Sequence, residues 1–546
     1  MQERVSKIIS IGSQGFSDRS SLESLWQEMA LNFYVERADF TTRWSLGEEF
    51  ASHLTTSYPM LARRDLGNAI QSMLRPRGEN WFKMGLQNTP DVTAMGKQWL
   101  EYSETVMRHY MFDRKAGFVR ATGEADHDYA TFGNACLSVE YNRDLTGLIY
   151  RCWHIRDVVW FEDEAGFINE VHRKWELSAV DMISLFGADK CHREIIKAAK
   201  ENTSKKFEVR HIVVSSEKWK TRENGKEYKQ SFVSMYVDVS HDHVIEESGT
   251  PILHYVIPRW QTISGSQYAY SPAAVCALPD ARLIQSMSLT LLEAGEKSVN
   301  PPLIATMEAV RSDISMHAGG ITWADYEYDE RLGDVLRPMN IDKSGLAFGV
   351  NIREETKQMI QEAFFLNKLS LPQQTGQMTA TEVSQRVQEY IRQALPLFQS
   401  IEMEYNGALC DMTFDLLMAR NAFGSSEDIP EELQGRDLEF TFKSPLVEAK
   451  GKEKTQKYIE SSELLRQAAE LDPNVVRIID HEKAIRDTFT GNEVPENWLK
   501  TEDEMQEILQ QEADQAEQQK QMEMMAQAGQ VAQETGKGID AMGGVE

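Results

Sequence analysis

The feature that most constrains this chain is one long amphipathic stretch near residue 400. Thr379-Ala380-Thr381-Glu382 matches the S/T-x-x-E capping box, in which the first hydroxyl and the acid three residues on satisfy the opening amides of a helix. Behind it Val383, Val387, Ile391, Leu395, Phe398, Ile401, Tyr405, Leu409, Met412 and Leu416 recur every three or four residues. The pattern predicts a helix of roughly 40 residues, about 60 Å long, with its apolar stripe turned to a core. Pro396 removes one backbone hydrogen bond inside it and predicts a kink. Gly424 predicts its end. A helix this long in a chain of 546 residues predicts a spine on which neighbouring subunits pack.

The rest of the chain reads as mixed α+β and mainly helical. Residues 20–110 predict helices: Leu22, Leu25, Trp26, Met29 and Ala30, then Leu46, Phe50 and Leu54, then Ala69, Ile70, Met73 and Leu74 fall at helical spacing. Arg75-Pro76-Arg77-Gly78 breaks the run, and a further helix is expected over 92–113. From Gly117 to Trp260 the texture changes to strands, at 136–141, 148–154, 156–161, 168–175, 208–214, 231–239 and 252–257, with a turn at Asp144-Leu145-Thr146-Gly147 and one helix over 179–200. A helical stretch from Leu278 to Glu296 stops at Asn300-Pro301-Pro302. Residues 303–350 are short and mixed, and 351–367 are helical again. A polar loop, 368–378, leads into the spine. Beyond a strand at 437–442 the chain reads as helical, ending in an acidic, Gln- and Met-rich tail.

Charge narrows the function. With 85 acidic against 58 basic side chains the net charge is −27, whereas a protein that grips nucleic acid is basic. The opening residues 1–16 lack the long apolar core of a signal peptide, and no run approaches the ~20 apolar residues of a membrane helix. Cys136, Cys152, Cys191, Cys276 and Cys410 are odd in number, widely spaced and form no C-x-x-C pair, which predicts buried free thiols in a reducing cytoplasm.

No catalytic motif is present, and neither an enzyme nor a cofactor is expected. The nearest trace of a phosphate loop, Gly536-Lys537, has Val531 where the first glycine belongs. His241-Asp242-His243 lacks further local ligands and reads as a solvated turn rather than a metal site. Asp325, Glu327 and Asp329 alternate as in a calcium loop, but Glu330 and Leu336 occupy the positions that need Gly and Glu. Alternating with Tyr326 and Tyr328, these acids suit a half-buried strand or a contact surface. The absent phosphate loop disfavours a packaging ATPase.

Four stretches, in matching order and spacing from about residue 20 to 425, resemble the head-to-tail connecting proteins, or portals, of short-tailed phages. They are Trp26 and Phe40 with Asp65 to Leu74 and Glu79-Asn80-Trp81-Phe82; Tyr129 to Glu140 with Phe132-Gly133-Asn134-Ala135; Arg259-Trp260 through Gly265, Tyr268 and Ser271-Pro272 to Ala277-Leu278-Pro279-Asp280 and Asn300-Pro301-Pro302; and Thr379 to Val383 with Arg386. Beyond residue 445 the likeness is weak. The resemblance implies a dodecameric ring around a DNA channel. It implies a wing over 1–277, stem helices at 278–299 and 351–367 flanking a clip at 300–350, a tunnel loop at 368–378 and a wing spine helix at 379–424. The wing end and crown would follow at 425–500, with the acidic helix and disordered tail at 501–546.

That architecture assigns roles. In the tunnel loop Lys368, Gln373, Gln374 and Gln377 would meet DNA, and in the clip Trp323, Tyr326, Tyr328 and Arg331 have contact-surface character. Thr379, Glu382 and Pro396 would shape the spine. The implied partners are further copies of the chain, double-stranded DNA without sequence specificity, the terminase large subunit, tail adaptors, and major capsid and scaffold proteins, with no membrane. The place is the portal vertex of the virion, after assembly in the host cytoplasm. The competing expectation is another capsid-associated structural protein, an internal core or scaffold component.

Overall fold

The computed structural model describes residues 2–43, 51–76, 80–86, 92–201, 205–223, 228–305, 336–339, 344–369, 401–425, 428–442 and 458–466 without 460, together with isolated positions between and after them. In chain order the elements are α1 (Gln2–Asp18), α2 (Ser20–Phe33), α3 (Tyr58–Leu74), β1 (Phe82–Leu86), α4 (Ala94–Met111), α5 (Phe118–Phe132), β2 (Leu137–Tyr141), β3 (Leu148–Cys152), β4 (Val158–Glu162) and β5 (Ile168–Ser178). There follow α6 (Ala179–Phe186), α7 (Arg193–Lys200), β6 (Lys206–Ser215), α8 (Ser216–Glu223), β7 (Phe232–Asp238), β8 (His243–Thr250), β9 (Tyr255–Val256) and α9 (Pro272–Val299). Last come β10 (Leu303–Ala305), β11 (Leu336–Pro338), α10 (Ser344–Ala363), α11 (Leu366–Leu369), a π-turn at Glu402–Gly407, the helix Ala408–Met418 and β12 (Leu438–Phe442). The chain is mixed α+β. It forms two compact units, Met1–Trp81 with His109–Arg420, and Phe82–Arg108 with Asn421–Glu546.

In the first unit β4 to β8 form an antiparallel meander in sequence order. Alternation gives the sheet two apolar faces. One face, with Ile212, Val214, Val233, Met235 and Val237, is covered by Val5, Ile8 and Ile9 of α1 and by Trp219 of α8. The other, with Phe207, Val209 and Ile245, is covered by Ala179, Met182 and Phe186 of α6 and Ile195 of α7. A second sheet, β3-β2-β9, lies beside α5. Its hairpin turns at 142–147, where Asn142 Oδ1 accepts from the amides of Thr146 (2.8 Å) and Gly147 (3.2 Å). Helix α5 is buried over most of its length and is bounded by Gly117 and Gly133, both in the left-handed region. That conformation costs a side-chain-bearing residue of order 1 kcal/mol or more.

Several expectations change. Residues 118–132, placed among strands, are helical: Phe118, Ala121, Ala125, Tyr129 and Phe132 follow a period of three to four, not two. The single helix expected over 179–200 is two, because Gly187 takes a positive φ and His192 recaps the chain, its Nδ1 accepting from the Glu194 amide. Leu54 is not helical. Residues 51–57 are irregular and held by Gln285, whose Oε1 accepts from the amides of Thr55 (2.8 Å) and Thr56 (3.0 Å). Strand β8 and helix α1 were not anticipated. Helix α9 begins at Pro272, earlier than Leu278, because Ser271 caps it and proline suits the first helical position. Helix α10 spans Ser344–Ala363 rather than 351–367, with Phe365 at positive φ just beyond it. The helix Ala408–Met418 ends before Gly424, with Asn421 already left-handed.

Two chemical expectations also change. All five cysteines are free, but Cys276 is exposed and Cys152 only partly covered. His241 lies in a turn, as expected, but its side chain is mostly covered. Its Nδ1 lies 2.6 Å from Asp238 and its Nε2 3.0 Å from Glu194, while its ring stacks on His192 at 4.4 Å. Among the described residues no group of three or more His, Cys, Asp or Glu stands ready to hold a metal. No described helix is long and apolar enough to cross a membrane.

In the second unit β1 pairs antiparallel with β12, from Phe82 opposite Phe442 to Leu86 opposite Leu438. Glu104 of α4 is buried against this ribbon, its Oε1 accepting from the Met84 amide at 2.7 Å. Burial pushes its carboxyl up to about 7 from 4.5, against the Met84 amide and the nearby Lys83 and Arg108. The folded state therefore holds this proton more tightly than the unfolded chain. Its contribution is complete below about pH 4.5 and is lost as pH rises through 7, up to roughly 3 kcal/mol. Glu104→Gln keeps an acceptor for Met84 without the charge. Denaturant unfolding should show the variant more stable than the parent at pH 8 and the two alike at pH 4.

Candidate functional site at the root of the long helices

Residues from three of the four stretches that carry the family resemblance meet in one place in the first unit; the fourth lies outside the described residues. Trp26 of α2 contacts Phe40 (5.6 Å between ring centroids), Phe132 (6.4 Å) and Tyr268 (5.9 Å), and Tyr268 packs on Trp160 (4.6 Å). Tyr129 stacks on Trp260 at 4.8 Å, and Trp260 stacks in turn on Phe365 beyond α10. Aromatic pairs of this kind contribute about 0.5–1.5 kcal/mol each beyond burial. Segments far apart in sequence are thereby held in one core.

The root of α9 is clasped by the turn after α5. Ser271 Oγ donates to Ala130 O (2.8 Å) and accepts from the Ala274 amide (3.2 Å), so one hydroxyl caps α9 and ties it to α5. Buried Asn134 donates from Nδ2 to Ala269 O (2.7 Å) and Phe132 O (3.1 Å), and its Oδ1 accepts from the Ala269 amide (3.0 Å). Gly133 is left-handed, and a Cβ there would collide with the backbone of Tyr270 and Ser271. Only glycine allows the two chains to approach so closely.

The π-turn Glu402–Gly407 is latched by buried charge. Arg75, at the end of α3, forms a direct ion pair with Asp126 of α5, and the pair is sealed from solvent. Its Nη1 donates to Asn406 Oδ1 (2.6 Å), and its guanidinium lies over the Tyr405 ring at 4.5 Å. Burial pushes the Asp126 carboxyl up against the attraction of Arg75. Burial would likewise lower the Arg75 guanidinium, but Asp126 more than offsets it. A guanidinium keeps its proton, so Arg75 brings a fixed positive charge that favours the ionised form of the Asp126 carboxyl against burial. Tyr405 and Asn406 belong to the π-turn Glu402–Gly407. From the other side Arg259 donates through its backbone amide (3.3 Å), Nε (3.2 Å) and Nη2 (3.2 Å) to Glu404, and also pairs with Glu162. Beyond the π-turn, Tyr150 and Tyr141 tie the helix Ala408–Met418 to the β2–β3 hairpin through Thr413 and Leu416 O.

The same root holds a helical pair. Helix α10 returns alongside α9, with Ile284 and Ile360 fully buried and Gly349 close against Leu291. Arg282 pairs with Glu28 of α2, and Phe364 packs on Phe33 at 5.3 Å. At the far end β10 and β11 pair antiparallel, Leu303 opposite Pro338. The outward sides of the helices keep Leu283, Leu289, Leu292, Phe348 and Met359 exposed, Phe348 by 69%.

Of the residues singled out from sequence, Trp323 is 67% exposed, and Lys368 lies on α11 rather than in a loop. Tyr326, Tyr328, Arg331, Gln373, Gln374, Gln377, Thr379, Glu382 and Pro396 lie outside the described residues. The clasp and the latch were not anticipated as such. The available signal for the latch was two acids, Asp126 and Asp128, among the apolar residues of the second half of α5, Ala125, Tyr129, Ala130 and Phe132. Asp128 is matched by Arg37 in a bidentate pair (3.0 and 2.8 Å).

Residues 7–499 match the family model described as "Bacteriophage head to tail connecting protein". The chain belongs to that family. As a head-to-tail connector it has a portal function, in agreement with the resemblance read from the four stretches. Among curated connectors the chain is 26% identical over 449 residues to the "Probable portal protein" of Bordetella phage BPP-1, covering 79% of this chain and 77% of that one. It is 21% identical over 512 residues to the "Portal protein" of Salmonella phage epsilon15, covering 92% and 90%. Solved structures that align are a chain of the virion of a native gene transfer agent (GTA) particle, at 10% identity over 75% of this chain and 86% of that one, and a chain of the neck of an empty GTA particle, at 12% over 74% and 86%. Both have a TM-score of 0.35.

Removing Arg75 leaves the buried Asp126 carboxyl without its counter-charge. Arg75→Met should cost about 3–5 kcal/mol in chemical denaturation, and adding Asp126→Leu should recover most of the loss. Gly133→Ala should be severely destabilising, by roughly 2–4 kcal/mol, from the forced φ and the backbone collision together.

Proposed function

We propose that this connector assembles as a closed dodecameric ring whose central channel passes double-stranded DNA inward during packaging and outward during ejection. The observation that carries the ring is the exposed apolar surface of the α9–α10 pair. Leu289, Leu292, Phe348 and Met359 stand in water on a chain of charge −27. Exposed apolar surface of this kind marks an interaction site, and a heterologous contact that closes on itself generates a ring. In that assembly α9 and α10 are the stem, 300–343 the clip, 370–378 the tunnel loop and the spine after Thr379 the support of the wing. The remainder, from 425 onward, forms the wing end, crown and tail.

DNA passage follows from charge rather than from grip. Glu293, Glu296, Glu354 and Glu355 are exposed on the helical pair, and twelve copies of such acids repel phosphate. Lys368, Gln373, Gln374 and Gln377 supply weak contacts that damp this field, and Trp323, Tyr326, Tyr328 and Arg331 meet the terminase motor and later the tail adaptors. Capsid and scaffold proteins hold the ring at one vertex of the virion. The chain itself performs no catalysis in this scheme.

Negative-stain electron microscopy of the purified protein should show rings. Leu289→Glu with Phe348→Glu should give particles of subunit size with unchanged circular dichroism, because each burial removed is worth about 1.5–3 kcal/mol at every interface. Rings that persist in this variant would refute the role of the helical pair. Deleting residues 370–378 should leave rings intact and reduce the DNA retained in heads, and undiminished DNA content would remove the loop from the mechanism.

A further inference from the structure

We propose that the α9–α10 pair joins copies of this chain head to tail through two different faces, with Phe348 of one copy seated against Leu292 and Val350 of the next. The proposal rests on the ring reading and gives its contact a direction.

The faces follow from how the two helices meet. Gln285 and Lys357 both contact the segment 55–58, while Leu291 lies 3.0 Å from where a Cβ on Gly349 would stand, so α9 and α10 run antiparallel. On α9 the side toward α10 is marked by Ile284, Met287 and Leu291, and on α10 the side toward α9 by Gly349, Thr356 and Ile360. With 3.6 residues per turn, Leu283 points about 70° to one side of that line on α9 and Leu292 about 110° to the other. On α10 Phe348 and Met359 point about 80–100° to one side and Val350 about 100° to the other. Turns of the same sense on antiparallel helices lead to the same face of the pair. One face therefore shows Leu283, Phe348 and Met359, with Lys297 and Glu355 at its edges, and the opposite face shows Leu292 and Val350. Leu289 stands at the back of α9, bordering the second face. Counted outward from the contact of Leu291 with Gly349, Phe348, Val350 and Leu292 lie within one turn of the same height.

This distribution selects a second copy as the occupant. The backs of the two helices are largely polar, with Ser286 and Glu293 exposed on α9 and Asn351 and Gln358 on α10. Apolar side chains on both flanks suit a pair that has a neighbour on either side. A two-fold dimer would press one flank against itself and leave the other in water, and a foreign partner on one flank would do the same. Rotation about a ring axis keeps every residue at its own height. With the pair lying along that axis, the first face of one copy meets the second face of the next at the level of Phe348 and Leu292. Phe348 is the largest exposed apolar side chain of the pair and supplies the knob.

Cross-linking in mixed assemblies tests this. Two differently tagged forms of the full chain, each carrying Cys276→Ser to remove the exposed native thiol and one new cysteine, are co-expressed and treated with a short bismaleimide. Phe348 and Leu292 are exposed, so the substitutions leave the core intact. Phe348→Cys with Leu292→Cys should give a covalent dimer bearing both tags. Phe348→Cys with Met359→Cys, two positions on one face, should give no mixed dimer above the Cys276→Ser parent. Cross-linking of Phe348→Cys to itself would show a flank packed on its own copy and overturn the proposal. Rings in negative stain without the mixed dimer would overturn the pairing and leave the ring standing, whereas neither rings nor mixed dimer would sink both.

Discussion

The architecture of the first unit depends on one buried ion pair. Arg75 and Asp126 lie out of reach of water, where each charge alone would be costly, so each requires the other. The pair fixes the end of α3 against α5. Through Asn406 and the Tyr405 ring it also fixes the π-turn Glu402–Gly407. Arg259 and Glu404 hold the same turn from its other side. A helix grasped at two points on one turn has a defined direction.

The clasp at Gly133 does the corresponding work for α9. A glycine without a Cβ, an asparagine bonded to two carbonyls and a serine that caps and tethers at once set the origin of the helical pair. Clasp and latch share α5, whose two buried acids are matched by other elements, Asp126 by Arg75 and Asp128 by Arg37.

Much of this was legible in the sequence, but unevenly. Strands with alternating patterns, such as Phe232–Asp238, and helices with clear stops, such as Val299 before Asn300-Pro301-Pro302, emerge close to their expected ends. The helix Phe118–Phe132 was obscured because polar residues, Thr122, Asp126, Asp128 and Thr131, are buried beside the apolar ones and blur the contrast between its faces. The π-turn could not be read from period alone. Yet Ile401, Tyr405, Leu409, Thr413 and Leu417 are all buried at steps of four, and such a stripe drifts around a regular helix unless one turn is widened. The ion pair was invisible because its partners are 51 residues apart. Family likeness pointed to the right stretches, since Trp26, Phe132-Gly133-Asn134 and Ser271-Pro272 prove to be neighbours, but it named no contact among them.

The bare flank of the α9–α10 pair has a colloidal consequence. A subunit that carries strong negative charge over its surface and adhesive apolar side chains along one edge is repelled by its copies at long range and held by them on touching. Screening shortens the reach of the repulsion and leaves the adhesion unchanged. Particles with that combination resist random clumping, because most encounters are turned away before the sticky edges meet. In the proposed assembly growth stops when no edge remains open, which a head-to-tail contact reaches only by closing into a ring.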